Sequence, residues 1–446
     1  MMKKILIYSF LAAFSGFLCF SQTAQSSEEK LVLTIEDAVK IASENNISIK
    51  QSMLNLKKAE SAKNYSWNSV SPSISAGATY TNPFTEPKGD FTTDSFSISG
   101  SVSLGLSTNL YTTMKAARLN YENGLLSFDD ACRSIELSVR KTFYGLLYEK
   151  ENIDLQKRGL ETSRIQYEKN QEKFKNGKIS ELDVMTSRVT YEQKKPAVES
   201  VEIAYQNDLA SFKQLLGIDQ KTEIELSGSL DDALNLKPVS FESLPKSDKA
   251  APDVLSAEKS LEIAENSLLA TRFSAYGPTV SANYKIGSSY TVSADATVNP
   301  PTYSKDWSDL SHSLTVSVNI PLDGYLPWST GAASVQNNKK AVESAELALE
   351  NAKTTVQIKT DNYIRKINQG ISQVASLKEN EKLAETTYNM SQTAYNYGKT
   401  DILSLQNYSD SLLSARVSVK QQAYSLISSV LDLEYLLGLP FGTLAK

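Results

Sequence analysis

A pattern written twice along the chain constrains its folding more than any other feature. Phe174-Lys-Asn-Gly-Lys opens a segment that closes on Leu215-Leu216-Gly217, and Tyr395-Asn-Tyr-Gly-Lys opens one that closes on Leu436-Leu437-Gly438. Gly177 and Gly398 stand 221 residues apart, as do Gly217 and Gly438, so the two segments align without a gap. The correspondence continues upstream with small insertions. Leu56-Lys-Lys-Ala-Glu resembles Leu261-Glu-Ile-Ala-Glu, Ser71-Pro72-Ser73-Ile74-Ser75 resembles Gly277-Pro278-Thr279-Val280-Ser281, and Ser101-Val102-Ser103-Leu104 resembles Ser317-Val318-Asn319-Ile320. Each repeat therefore reads helix, two strands, long helix, turn, helix. The first repeat is expected over 22–217 and the second over 253–438. A polar, proline-containing linker at 218–252 separates them, and a short tail, 439–446, follows.

The strands alternate strictly. Phe96, Ile98, Val102, Leu104 and Leu106 are apolar at even positions, and serines fill most of the odd positions from Ser95 to Ser107. Such alternation puts the two sets on opposite faces. Ile74, Ala76, Ala78 and Tyr80 form a second stripe, Val280, Ala282, Tyr284 and Ile286 a third, and Leu314, Val316, Val318 and Ile320 a fourth. The spacing predicts strands at about 73–80, 96–106, 279–287 and 313–322. Any one such strand by itself is better read as a strand with one face on a soluble core. Four of them behind an export signal suit lipid, because membrane strands run about 10 residues with an apolar outer face and a polar lumen face. Phe96, Ile98, Val102, Leu104 and Leu106 are then the lipid-facing set. Four strands cannot close a barrel, and open edges in lipid would leave backbone groups unsatisfied. The membrane reading therefore requires oligomerisation, with Thr81–Asp94 and Gly287–Leu310 as surface loops.

The helices carry a seven-residue interval. Val139, Leu146, Ile153, Leu160, Tyr167 and Phe174 obey it before the first turn, and Val184, Tyr191, Val198, Tyr205 and Phe212 after it. Leu405, Leu412, Val419, Leu426 and Leu433 occupy the equivalent places in the second repeat. Such an interval marks helices that keep one seam against their neighbours. A helix from about Lys115 to Asn176 would span roughly 90 Å, longer than any compact domain needs. Asn176-Gly177-Lys178 and Tyr397-Gly398-Lys399 read as tight turns whose glycines take positive φ. Pro196 is expected to bend the returning helix of the first repeat.

The first 21 residues read as an export signal: Lys3 and Lys4, the apolar stretch Ile5–Phe20, and small residues at Cys19 and Ser21 before a cut. Lipidation at Cys19 would have to accept the large Leu18 before it. Removal of the signal leaves Cys132 alone, so no intrachain disulfide is expected. No later apolar run approaches the ~20 residues of a membrane helix. With 22% charged residues and a net charge of -5, the chain lacks the basic footprint of a nucleic-acid binder.

No motif carries catalytic chemistry. Gly398-Lys399-Thr400 lacks the glycine of a phosphate loop five residues earlier, where Thr393 stands. His312 is the single histidine, too few for a hydrolytic triad or a multi-histidine metal site. Glu149, Glu151, Glu161 and Glu168 read as a solvated helix face. No cofactor and no enzymatic activity are expected.

Taken in order, Leu33-Thr34-Ile35-Glu36-Asp37-Ala38, Ser71-Pro72-Ser73, Tyr395-Asn-Tyr-Gly398 and both Leu-Leu-Gly endings resemble the TolC-like outer-membrane factor family over essentially the whole mature chain. The resemblance implies a homotrimer in the outer membrane, mainly α with membrane β. Three chains would build one twelve-stranded barrel continuing into a coiled-coil periplasmic tunnel. It implies a passive exit duct for tripartite efflux or type I secretion. The partners would be a periplasmic adaptor (membrane fusion protein), an inner-membrane RND or ABC pump, and outer-membrane lipid. Asn176, Gly177, Lys178, Ser180, Gly398, Lys399, Thr400 and Asp401 would be the adaptor-contact tips. The resemblance also implies a periplasmic gate at Asp183, Tyr395, Ser404 and Asn407, with a Tyr395–Asp183 hydrogen bond holding the mouth closed. Ser404 and Asn407 stand where relatives often carry aspartates, and Thr400 where they often carry a basic residue. Block by multivalent cations should accordingly be weak. A trimeric coiled-coil scaffold of the cell envelope without channel activity is the alternative, separated from the duct by solubility without detergent and lack of conductance.

Overall fold

The computed structural model describes residues 31–82, 91–231, 238–240, 251–295 and 302–444. The expected export signal, parts of the linker and of the two strand connections, and the last two residues lie outside these.

Both repeats are built alike. The first runs β1 (Leu31–Leu33), α1 (Ile35–Asn45), α2 (Ile47–Asn64), β2 (Ser73–Thr81), β3 (Phe91–Ser107), α3 (Asn109–Lys175) and α4 (Glu181–Leu216), followed by β4 (Ile224–Leu226). The second runs α5 (Pro252–Tyr276), β5 (Thr279–Asp295), β6 (Thr302–Trp307), β7 (Ser311–Asn319), α6 (Thr330–Asn396) and α7 (Ile402–Leu436). The long helices α3 and α6 have the same length, 67 residues, or about 100 Å. Pro196 lies inside α4 without ending it.

The helices form columns. Helix α2 packs on the first part of α3 and α4 on the last; α5 and α7 divide the length of α6 in the same way and also touch α3. The joints are specific. Asn46 Oδ1 accepts the backbone N–H groups of Ser48 (2.8 Å) and Ile49 (3.2 Å), while its Nδ2 donates to the Leu215 carbonyl (2.7 Å). One side chain thus caps the start of α2 and satisfies the end of α4. Gly217 closes α4 at φ 71°, and a Cβ there would lie 2.5 Å from the Asn45 carbonyl oxygen, so the joint admits only glycine. In the second repeat Gly438 abuts Pro252 at the start of α5, where proline's missing N–H costs nothing. The lateral order of columns is α2/α4, α3, α5/α7, α6.

Halfway along the columns lies the main core. Phe143, Leu146 and Leu147 of α3 meet Leu209, Phe212 and Leu216 of α4, closed by α1 and by the parallel pair β1–β4. A second cluster joins Ile364, Ile367 and Val374 of α6 to Leu426, Val430 and Leu433 of α7. The seam Leu405, Leu412, Val419, Leu426, Leu433 is buried along its whole length, whereas Phe174 at the end of the first seam is exposed.

At the other end the sheet runs β2–β3–β5, with β7 and β6 in succession along the far edge of β5, all antiparallel. This corrects the expected loops. Strand β5 continues to Asp295, β6 occupies part of the expected 287–310 connection, and β3 begins at Phe91 inside the expected 81–94 connection. The polar stretch Gly287-Ser288-Ser289 interrupts the apolar alternation, which resumes at Tyr290, Val292 and Ala294, and backbone pairing runs through the interruption. Strand β7 stops at Asn319 instead of 322, because Pro321 has no N–H to give a ladder. Three steps along β5 (Gly287 to Tyr290) face four along the partner (Ser311 to Trp307), a bulge at which Ser308 N–H donates to the Ser289 carbonyl (2.7 Å).

Candidate functional site

The sheet presents two chemically opposite faces. Its register aligns Ile74, Val102, Tyr284 and Leu314 in one row, and Leu106, Val280 and Val318 in another. Nothing in the described residues covers this face: Ile74 is 80% and Leu314 69% exposed. Of the residues expected to face lipid, Phe96, Ile98, Val102 and Leu106 are exposed and Leu104 is half-buried, all on this one face. An aromatic row of Tyr80, Phe96, Tyr290 and Trp307 crosses one end, with Phe96 and Trp307 edge to face at 6.2 Å. The next row turns polar at Asp94, which accepts from the Tyr80 hydroxyl (3.2 Å) and Asn82 Nδ2 (2.7 Å). At the opposite end Trp67, Tyr325 and Trp328 are exposed.

The reverse face is lined by hydroxyls. Ser73 pairs with Ser103 (2.6 Å), Ser75 with Ser101 (2.8 Å) and Ser281 with Ser317 (2.8 Å). Neither outer edge, β2 nor β6/β7, has a strand partner among the described residues.

The far end of the columns carries the two turns. Gly177 (φ 68°) and Gly398 (φ 70°) are left-handed, as their positions after long helices require. Lys178 N–H returns to the Lys173 carbonyl (2.8 Å) and Lys399 N–H to the Ala394 carbonyl (2.9 Å). Ser180 begins α4 with a reciprocal cap: Asp183 N–H donates to Ser180 Oγ (3.2 Å), and Asp183 Oδ2 accepts the Ser180 N–H (3.2 Å) and hydroxyl (2.8 Å). Asp401 caps α7 by accepting from Ser404 N–H (2.6 Å) and hydroxyl (3.2 Å). Asn176, Gly177, Lys178, Ser180, Gly398, Lys399 and Asp401 are exposed, Thr400 is partly so, and Asn407 is exposed one turn beyond Ser404.

The expected Tyr395–Asp183 bond is not made. Asp183 is held by its own helix cap. Tyr395, 7% exposed, instead donates its hydroxyl to Asn170 Oδ1 on α3 at 2.9 Å. Burial pushes the phenol upward in pKa, with the Asp183 charge adding to it, so Tyr395 remains a neutral donor. Lys173 sits 4.4 Å over the Tyr395 ring, and burial beside Lys169 and Lys178 lowers its own pKa. Asn170 Nδ2 and Ser391 Oγ are buried here without a partner. A hydroxyl-lined cleft follows, with Ser163, Gln166, Ser187 and Thr190, bounded by the Lys194–Asp410 ion pair at 2.7 Å. Asn170 escaped the sequence reading because it lies between the heptad positions Tyr167 and Phe174, where a polar residue reads as solvated.

The acidic residues along α3 divide. Glu161 and Glu168 both bind Arg164 on the surface, as a solvated face would, and Glu151 binds Lys420 from α7 (2.9 Å). Glu149 departs from the expectation: half-buried, it has its carboxyl pushed up to about 7, first by burial and then by Asp208 of α4.

Comparison with known proteins agrees with this geometry. No curated protein sequence matches the chain. Solved structures do match: the CmeC outer membrane channel of Campylobacter jejuni (18% identity, 91% of this chain and 85% of that one, TM-score 0.69), the open-state MtrE outer membrane channel of Neisseria gonorrhoeae (17%, 91% and 89%, 0.68), and the outer membrane protein VceC of Vibrio cholerae (13%, 91% and 96%, 0.67). At such identities the likeness concerns the fold. The sequence profile of outer membrane efflux proteins matches residues 38–218 and 245–439, both repeats. A two-faced sheet with open edges, carried on columns of about 100 Å, is thus the work of a chain that belongs to the outer membrane efflux protein family, a family of TolC-like channels and not of enzymes.

Proposed function

We propose that three copies of the chain form a passive exit duct, joined at its periplasmic end to an adaptor and an inner-membrane RND or ABC pump of tripartite efflux or type I secretion. The observation that carries this is the sheet: an uncovered apolar face, a hydroxyl face and two open edges. Pairing β2 of one protomer with β6/β7 of the next satisfies the edges and closes twelve strands. From the Leu106 row to the Phe96 row are ten residues, about 33 Å of strand, or about 25 Å of height at barrel tilt, the height of a membrane band. Phe96, Ile98, Val102, Leu104 and Leu106 then face lipid, between the aromatic row and the exposed tryptophans.

The column order supports the same assembly. Its outermost members are α2/α4 on one side and α6 on the other. Exposed apolar residues recur there at heptad spacing: Ile47 and Leu54 on α2, Leu182, Val189 and Ile203 on α4, Leu383 and Met390 on α6 with Tyr397 just past its end. The neighbour's α6 covers α2/α4 in this arrangement. The turns at Asn176–Ser180 and Gly398–Asp401 are the adaptor contacts, by analogy of fold. Asp183, Tyr395, Ser404 and Asn407 lie at the gate, with Tyr395–Asn170 as the bond that ties the hairpins together.

Purified protein in detergent should cross-link as trimers and give discrete conductance in planar bilayers. Cysteines introduced at Val189 and Met390 should join neighbouring protomers. A water-soluble protein without conductance would favour the scaffold reading instead.

A further inference from the structure

The hydroxyl face of the sheet carries one long cation. Lys285 stands in the row Ser75–Ser101–Lys285–Ser313. The adjoining rows are Ser73–Ser103–Asn283–Thr315 and Gly77–Ser99–Gly287–Ser311, so no neighbour on that face matches its length. Lys285 is exposed, and no ion pair involves it among the described residues. A described carboxylate on the same face, Asp306, lies opposite Thr291, six residues farther along β5 and about 20 Å away.

We infer that Lys285 is a specificity-determining residue of the lumen, which makes the barrel section favour anionic solutes over cationic ones. The inference rests on the closed trimer proposed above. There the row recurs every four strands, so three lysines ring the lumen at one height. Twelve strands spaced about 4.8 Å and tilted about 40° enclose a backbone radius of about 12 Å. An extended lysine reaches about 6 Å inward, which leaves the ammonium groups about 6 Å from the axis and about 10 Å from one another. That separation matches the screening length of about 10 Å at 0.1 M salt, so their fields overlap across the lumen. At 1 M salt the screening length falls to about 3 Å and the axis is shielded. The low-dielectric wall and the small hydroxyls around each lysine supply no compensating charge.

The test is the reversal potential of full-length wild type, Lys285→Gln and Lys285→Glu in planar bilayers, under KCl gradients at low and high mean ionic strength. Lys285→Glu should shift the anion-to-cation permeability ratio toward cations by about tenfold at about 0.1 M, with Lys285→Gln between. The three should converge near 1 M. Equal ratios in three conducting proteins at low salt would overturn the assignment of Lys285 and leave the duct intact. Absence of conductance from wild type would overturn the duct itself. Because Lys285 is exposed on a polar face, its substitution removes no packing. If a variant nevertheless fails to assemble, the salt dependence of the wild-type ratio decides: a ratio independent of ionic strength overturns the proposal.

Discussion

The middle and the tip of the helical columns share one heptad grammar but are packed with different chemistry. At the middle, Phe143, Leu147, Phe212 and Leu216 form a dry core sealed by β1, β4 and α1, with Phe143 and Phe212 6.3 Å apart. At the tip, Asn170, Gln166, Ser187, Thr190 and Ser391 take the positions between helices, and Asn170 and Ser391 keep buried polar atoms unpartnered. Buried apolar area resists separation of helices in every direction, whereas a few polar contacts resist it only while their geometry holds. On the proposed gate reading, the middle is the collar and the tip the part that would open.

The largest expected effect lies in the collar. Phe212→Ala removes a fully buried ring and should cost about 3–5 kcal/mol, read as a large loss of thermal stability or of assembled trimer. A small loss would mean that the collar is not what holds the columns. Tyr395→Phe at the tip removes the bond that reaches Asn170 from α6 and leaves it only Gln166 of its own helix (3.0 Å), which should cost about 0.5–1.5 kcal/mol locally, with little change in global melting. Its conductance should rise and amide exchange at the tips accelerate. Unchanged conductance would remove Tyr395–Asn170 from the gate.

Glu149 sits at the collar's edge and gives the comparison a pH axis. Its carboxyl titrates at about 7 in the folded chain, above its ordinary 4.5, so the folded state holds the proton more tightly. The neutral form's stabilisation is fully present below about pH 4.5 and is lost as pH rises through about 7. Discounted for its half-exposed setting, the charge costs about 1 kcal/mol at pH 8. Glu149→Gln should recover that at pH 8 and nothing at pH 4, measured by denaturant unfolding. The smallest effect is expected at the turn: Ser180→Ala removes a cap worth about 0.5–1 kcal/mol and should appear only as faster exchange at the start of α4.

Much of this contrast was written in local sequence. Gly177, Gly217, Gly398 and Gly438 all take positive φ where helix ends demand it, and the stripe from Leu405 to Leu433 is buried throughout. Strand alternation assigned the two faces of the sheet, because a period of two allows no other arrangement. It missed the end of β5, where Gly287-Ser288-Ser289 breaks an alternation that resumes at Tyr290, Val292 and Ala294, and β6, a six-residue strand with Lys305 and Asp306 side by side. Asn170 and Glu149 read as solvated because polarity on a long helix usually means solvent, and neither has a sequence neighbour that reveals its partner. Lys285 passed unread between Asn283 and Gly287, because its isolation in a row depends on cross-strand register.

By itself the sequence determined the duplication, most of the elements, the turns and the faces, all set by periodicities within one segment. The tertiary structure alone decided that the columns run α2/α4, α3, α5/α7, α6, that Asp183 caps its own helix while Tyr395 turns to Asn170, and that Glu149 meets Asp208. A heptad specifies which side of a helix is buried. It does not specify which neighbour covers that side or at what axial stagger, and stagger decides which polar groups meet.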